Sequence, residues 1–197
     1  MPPFFPSTIL NTIADALVDK GYIILDIDNS LIIDLAKHVK MIEGFDRAFV
    51  GRNSQRQEVV DIRSDRTLWL DENNSIDTLY LKEMHILQEG VNQRLYMGLR
   101  YHEAHYAHYI SGSFYKKHLD AFKGKDSRKL TTVLYLNQEW QQEDGGALVI
   151  YGEKEEAITT VMPTMGRMVI FLSDKFPHEV KPAKKDRYSI AGWFRID

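Results

Sequence analysis

The apolar pattern of this chain changes its period once, near residue 100, and that change limits the folds open to it. Before it, apolar residues recur at helical spacing. The first set is Ile9, Ile13, Ala16 and Leu17; the second is Leu31, Ile32, Leu35, Ala36 and Val39; the third is Leu79, Met84, Leu87, Val91 and Leu95. Spacings of three and four residues lay such side chains along one stripe of a helix. The predicted helices run from about Thr8 to Lys20 with Ser7 as cap and Gly21 as stop, from Asn29 or Ser30 through Val39, and from Ser75 or Asp77 to about Met97. Short strands are expected at Tyr22 to Leu25 and Ile62 to Leu70. Past residue 100 the period becomes two. Strands are predicted at His102 to Ile110, Phe114 to Asp120, Leu130 to Leu136, Ala147 to Tyr151, Ala157 to Val161, Arg167 to Leu172 and Tyr188 to Arg195. Ser111-Gly112-Ser113, Asp144-Gly145-Gly146, Met162-Pro163-Thr164 and Phe176-Pro177 separate them as turns. Helices followed by many short strands predict an α+β, mainly β fold: an antiparallel double sheet, or jelly roll (double-stranded β-helix), backed by N-terminal helices.

No repeat or domain linker interrupts the 197 residues, so a single domain is expected, with 1–100 as helical support and 101–197 as core. The segment from Gly44 to Ser64 is long, polar and irregular, and is predicted to be a mobile lid. Lys and Arg number 25 against 28 Asp and Glu, a net charge of −3, which argues against a nucleic-acid partner. The absence of cysteine excludes disulfides, thiolate metal sites and cysteine nucleophiles. The start, Met1-Pro2-Pro3-Phe4-Phe5-Pro6, lacks the basic and apolar regions of a signal peptide. No apolar run approaches the roughly 18 residues of a membrane span. These features together predict a cytoplasmic protein with no membrane partner; they leave oligomeric state open.

Chemistry concentrates in Tyr115-Lys116-Lys117-His118-Leu119-Asp120. In an extended strand His118 and Asp120 point to one face. His178, in Phe176-Pro177-His178-Glu179-Val180, would complete a set of two imidazoles and one carboxylate. That set leaves about three adjacent positions of an octahedral ion open, the pattern of non-haem Fe(II) oxygenases. Arg187 is placed at the start of the next strand to hold an anionic co-substrate through its planar fork. The same residues have plainer readings: His-x-Asp as a solvated strand end, and Arg187 as one more surface cation of Lys184-Lys185-Asp186-Arg187. The ordered succession of His-x-Asp, Gly-rich hairpin, Pro-His and Arg-Tyr-Ser-Ile favours the site.

The C-terminal half resembles the Fe(II)- and 2-oxoglutarate-dependent dioxygenases, and among them the prolyl 4-hydroxylases of the hypoxia-factor type and their bacterial relatives. The segments that carry the resemblance are Tyr109 to Asp120, Thr132-Val133-Leu134-Tyr135-Leu136-Asn137, Asp144-Gly145-Gly146, Pro177-His178-Glu179-Val180 and Arg187-Tyr188-Ser189-Ile190-Ala191-Gly192-Trp193. It implies that His118, Asp120 and His178 bind iron and that Arg187, helped by the Tyr135 hydroxyl, binds 2-oxoglutarate. It places Tyr109 near the co-substrate, Trp193 on the pocket floor and Arg128 at the substrate entrance. Tyr109 and Tyr135 are equally readable as core tyrosines, and Trp193 is core under either reading. Where many relatives carry a threonine four residues after the arginine, this chain has Ala191, one hydroxyl fewer for the co-substrate. The implied reaction couples decarboxylation of 2-oxoglutarate, yielding succinate and carbon dioxide, to hydroxylation of a prolyl residue in a protein or peptide. Fe(II) and O2 are required, and ascorbate is a possible reductant.

Two rival functions stand beside this one: a jelly-roll metalloenzyme that uses no keto acid, and a non-catalytic binding module on the same scaffold. Nucleic-acid repair is disfavoured by the charge balance. His102, His105 and His108 form a dense run, but on a strand His105 faces away from the other two, so they cannot share one ion. Lys116, Lys117, Lys123, Lys125, Arg128 and Lys129 read as a solvated basic face or as a docking patch for an acidic substrate.

Overall fold

The computed structural model of the chain describes residues 2–48, 62–121 and 127–197. Its helices follow the apolar stripes. Helix α1 (Ser7–Asp19) buries Leu10, Ile13, Ala14 and Leu17. Its N-cap is Pro6, with no side-chain capping bond, so Ser7 lies inside the helix instead of capping it. After β1 (Tyr22–Asp26), Asn29 caps α2 (Ser30–His38) by accepting from the Leu31 N–H. Strands β2 (Asp46–Arg47) and β3 (Arg66–Trp69) come next. The strand expected over 62–70 is thus shorter. The predicted lid falls largely on 49–61, outside the described residues.

Helix α3 (Ser75–Leu95) starts at Asn74, whose side chain accepts from the N–H groups of Ile76 and Asp77, and stops where Tyr96 takes left-handed backbone. Its buried stripe is Tyr80, Met84, Leu87 and Val91. Leu79, expected inward, is exposed, because Tyr80 takes the core position one residue on. Gly90 lets α1 approach: a Cβ there would lie 2.5 Å from Leu10 Cδ2.

The remaining strands are β4 (Tyr101–Tyr109), β5 (Tyr115–His118), β6 (Arg128–Tyr135), β7 (Leu148–Tyr151), β8 (Ala157–Val161), β9 (Arg167–Leu172), β10 (His178–Val180) and β11 (Arg187–Arg195). Strand β10, too short to show a period, is an addition to the expected set. A major sheet has the order β1-β9-β6-β11-β4-β3-β2 and a minor sheet β5-β10-β7-β8. All pairings between these strands are antiparallel. This is the jelly roll expected from the period-two half of the sequence.

The two faces of the major sheet have different coverings. Tyr106, Leu134, Ile170, Ile190 and Phe194 pack with the helical stripes in one apolar cluster. Tyr109, Val133, Tyr135, Val169 and Phe171 pack with Leu148, Ile150 and Val180 of the minor sheet in a second. Helices therefore stiffen the major sheet from behind while the minor sheet closes over its front. Registry carries Arg187, Ser189, Ala191 and Trp193 of β11 along that front face, opposite Tyr109, Ala107, His105 and Glu103 of β4.

Candidate active site

Strand β5 ends at His118, so Asp120 is not the next same-face residue of a strand, as the alternation rule expects; the chain bends after His118. The carboxylate still reaches the same point. His118 Nε2 lies 3.4 Å from Asp120 Oδ1, and His178 Nε2 lies 3.6 Å from Oδ2. One ligating atom from each of the three falls within 4.8 Å of the others, a set that could hold a metal ion. Strand pairing supplies the second histidine: His178 is opposite His118 across β10 and β5. No other such cluster of His, Cys, Asp or Glu occurs among the described residues, so the His102–His108 run forms no second one.

Both imidazoles have their protons fixed by the backbone. His118 Nδ1 is 2.8 Å from the Lys116 carbonyl oxygen and His178 Nδ1 is 2.9 Å from that of Phe176. A carbonyl only accepts, so Nδ1 carries the hydrogen in each ring and Nε2 turns a lone pair to the site. Burial pushes His178 down to about 4, partly offset by Asp120, which keeps its imidazole neutral and ligand-competent at neutral pH. Burial alone would raise Asp120, but the His178 and His118 rings outweigh it and hold the carboxyl well below the usual range. The Trp193 indole also lowers Asp120; its Nε1 is buried with no partner at hydrogen-bonding distance among the described residues. Thr131 Oγ1 donates to Asp120 Oδ2 at 2.9 Å.

Arg187 is no surface cation: it is 1% exposed. Its Nε donates to the Gly146 carbonyl at 3.0 Å and its Nη1 to Ser189 Oγ at 3.3 Å. Its guanidinium carbon sits 4.8 Å from the Tyr109 ring centre and 5.0 Å from that of Tyr135. No carboxylate pairs with it among the described residues. A buried guanidinium without a carboxylate partner is costly, so an anion placed at this end of the site would be stabilised. The Tyr135 hydroxyl beside it is buried and has no hydrogen-bond partner among the described residues. Burial pushes that phenol up to about 12, with Arg187 pulling the other way, so it stays protonated and able to donate. Burial raises Tyr109 as well. The buried cation, the spare hydroxyl and the triad fit a dianionic keto acid chelated at one end and ion-paired at the other.

Trp193 lies beside Asp120 and His105, with ring centres of Trp193 and His105 5.4 Å apart. Arg128 is ion-paired: its Nε and Nη2 engage Glu103 Oε1 at 2.9 and 2.8 Å, and its guanidinium carbon stacks 3.8 Å over Trp193. Lys117 pairs with Glu155 at 3.2 Å, and Lys123 and Lys125 lie outside the described residues.

Sequence reasoning missed Arg63 and Asp65. Their bidentate pair, at 2.8 and 2.6 Å, sets the Arg63 guanidinium 4.3 Å over the Tyr115 ring, which in turn stacks at 3.6 Å on His118. An Arg-x-Asp alternation was the available signal. In the sequence Gly146 signals only a turn. Its φ is +69°, and a Cβ there would stand 3.1 Å from Arg187 Cδ, so the turn also cradles the arginine.

Residues 104–195 match the 2OG-Fe(II) oxygenase superfamily. Over 95% of its length the chain superposes with TM-score 0.85 on 99% of a Pseudomonas putida prolyl-4-hydroxylase, at 34% identity. The chain belongs to the 2OG-Fe(II) oxygenase superfamily, an enzyme class that requires Fe(II), 2-oxoglutarate and O2. Among particular relatives, a Trichoplax adhaerens prolyl hydroxylase solved with a hypoxia-inducible-factor peptide fragment superposes at TM-score 0.83 and 27% identity, covering 96% of this chain and 90% of that one. Human Egl nine homolog 1 is 37% identical over 86 residues, 43% of this chain. The hypoxia-inducible factor prolyl hydroxylase of Caenorhabditis elegans is 38% identical over a stretch of the same length. The chain spans 20% and 12% of the length of those two proteins.

Proposed function

We propose that this oxygenase hydroxylates a prolyl residue of a protein or peptide, with His118, Asp120 and His178 as iron ligands and Arg187 as the anchor of 2-oxoglutarate. The observation that carries the site reading is the two-ended pocket: a triad with both Nε2 lone pairs turned inward, and a buried arginine lacking a carboxylate. Iron, when bound, supplies activation of O2 coupled to oxidative decarboxylation of the keto acid. The protein's own residues do the rest. His118 and His178, locked through Nδ1, present fixed donors. Arg187 with Tyr135 and Tyr109 would hold the distal carboxylate, so that one orientation of the keto acid reaches the triad. Val133, Val169, Ile150 and Phe171 keep the space between the sheets apolar and dry.

The prolyl assignment draws on the names of the relatives with matching fold and sequence. Arg128, held by Glu103 and laid on Trp193, would wall the substrate entrance as a flat stacked surface, not as a charge for an acidic partner. The lid role of 44–64 and the single-domain organisation remain part of this proposal. A cysteine-free chain suits a reducing compartment, and we place the enzyme in the cytoplasm on that ground.

The test is an anaerobic titration of the protein with Fe(II) and 2-oxoglutarate, following the visible charge-transfer band of a chelated keto acid. The band should appear in the wild type, vanish in His118→Ala and need at least about ten-fold more 2-oxoglutarate in Arg187→Ala. A wild type that binds metal but shows no band would overturn the assignment of these residues. Mass spectrometry of a proline-containing peptide library then tests the substrate: oxygen added only to other residues would remove the prolyl reading and leave the oxygenase.

A further inference from the structure

Behind Asp120 lie two hydroxyl groups with no part in the proposed chemistry. Thr131, on the front face of β6, is 1% exposed, and Ser173, just past β9, is 0% exposed. Their oxygens are 2.9 Å apart, and Thr131 Oγ1 lies 2.9 Å from Asp120 Oδ2. The direction of the chain follows from proton counting. A carboxylate oxygen only accepts, so the one hydroxyl proton of Thr131 goes to Asp120. Thr131 must then accept from Ser173, whose proton has this use. The order is Ser173 to Thr131 to Asp120, each donor polarised by the next.

A carboxylate ligand has two oxygens and can turn about its bond to the chain. Fixing Oδ2 by a buried donor stops that rotation and leaves Oδ1, 3.4 Å from His118 Nε2, as the freer atom. Sheet packing holds Thr131 itself in place, since it is opposite Trp193 on one side and Phe171 on the other. Ser173 is held by its backbone N–H, which donates to the Lys129 carbonyl at 3.1 Å.

We propose that Thr131 and Ser173 are positioning residues for Asp120, forming a hydroxyl relay that sets the carboxylate's orientation and so the strength of the metal site. The inference rests on the ligand assignment above. It makes no use of substrate, so it is testable without one.

The experiment measures Mn(II) affinity of the intact chain by electron paramagnetic resonance of the free aquo ion, without keto acid or oxygen turnover. Thr131→Val keeps shape and removes the donor; it should weaken Mn(II) about ten-fold or more, as loss of a partner behind a metal ligand does. Thr131→Ser restores the hydroxyl and should return affinity to within about three-fold of wild type, while Ser173→Ala should fall between the two. A purely structural role would instead lower the unfolding midpoint of the metal-free protein and leave affinity alone. Thr131→Val binding Mn(II) within about two-fold of wild type overturns the relay; if that variant does not fold, unchanged affinity in Ser173→Ala does so. A His118→Ala variant that binds like the wild type overturns the ligand assignment itself, a result distinct from the first.

Discussion

Gly146 couples backbone conformation to the placement of Arg187. At φ +69° it occupies the region that favours glycine, and its carbonyl accepts from Arg187 Nε. A methyl group would meet Arg187 Cδ at 3.1 Å and Ala183 Cβ at 3.0 Å. Gly146→Ala should therefore push the guanidinium off its position as well as strain the turn, at a cost of about 1–3 kcal/mol. The expected outcome is a rise of about ten-fold in the 2-oxoglutarate concentration needed for the chelate band, with Mn(II) affinity within about two-fold of wild type. Equal loss of both would mean that the turn supports the whole pocket and not Arg187 in particular. Arg187→Lys should fail to restore keto-acid binding in the same titration, since an ammonium offers a point charge and no planar fork.

At the scale of elements, the start of α3 separates stability from the site. Asn74 Oδ1 accepts from two backbone N–H groups that the helix leaves open, at 2.9 and 3.2 Å. Asn74→Ala should lower stability by about 1 kcal/mol in urea denaturation, with no effect on the chelate band. On the same helix, Gly90→Val would drive into Leu10, a buried residue of α1, and should cost about 1–3 kcal/mol through overpacking. A Gly90→Val protein as stable as wild type would show that α1 can shift away from α3 freely.

The whole molecule has an acid weakness built into β4. Burial pushes His102 down to about 3, and burial together with Arg63 and Arg128 pushes His105 down to about 3, against an ordinary 6.5. Both are neutral when folded and free to take a proton when unfolded. Between about pH 6.5 and 3 the unfolded chain therefore binds more protons, and stability must fall as pH falls through that window. At pH 5 each group should cost up to about 2 kcal/mol relative to pH 7. Urea midpoints measured from pH 7 to pH 4 should drop steadily, and less steeply for His105→Phe. A flat profile would show that both rings take up protons in the folded protein.

Much of this was legible in the residues. Apolar period alone separates the helical support from the sandwich, because a helix stripe and a strand face need different spacings to be buried. The His-x-Asp, Pro-His and Arg signals mark the candidate site because few other uses need those types in that order. Tertiary structure alone decided three things. It made Arg187 a buried cation: exposure depends on what the minor sheet covers, and no local pattern records that. It brought Asp120 to the histidines through a bend, with Thr131 donating to the carboxylate, although the strand that was to align them ends at His118. It also made partners of Arg63 with Tyr115, Arg128 with Glu103 and Ser173 with Thr131, residues far apart in the chain. Local order is written in short-range periodicity, whereas a site's charge balance is set by contacts that only sheet registry creates.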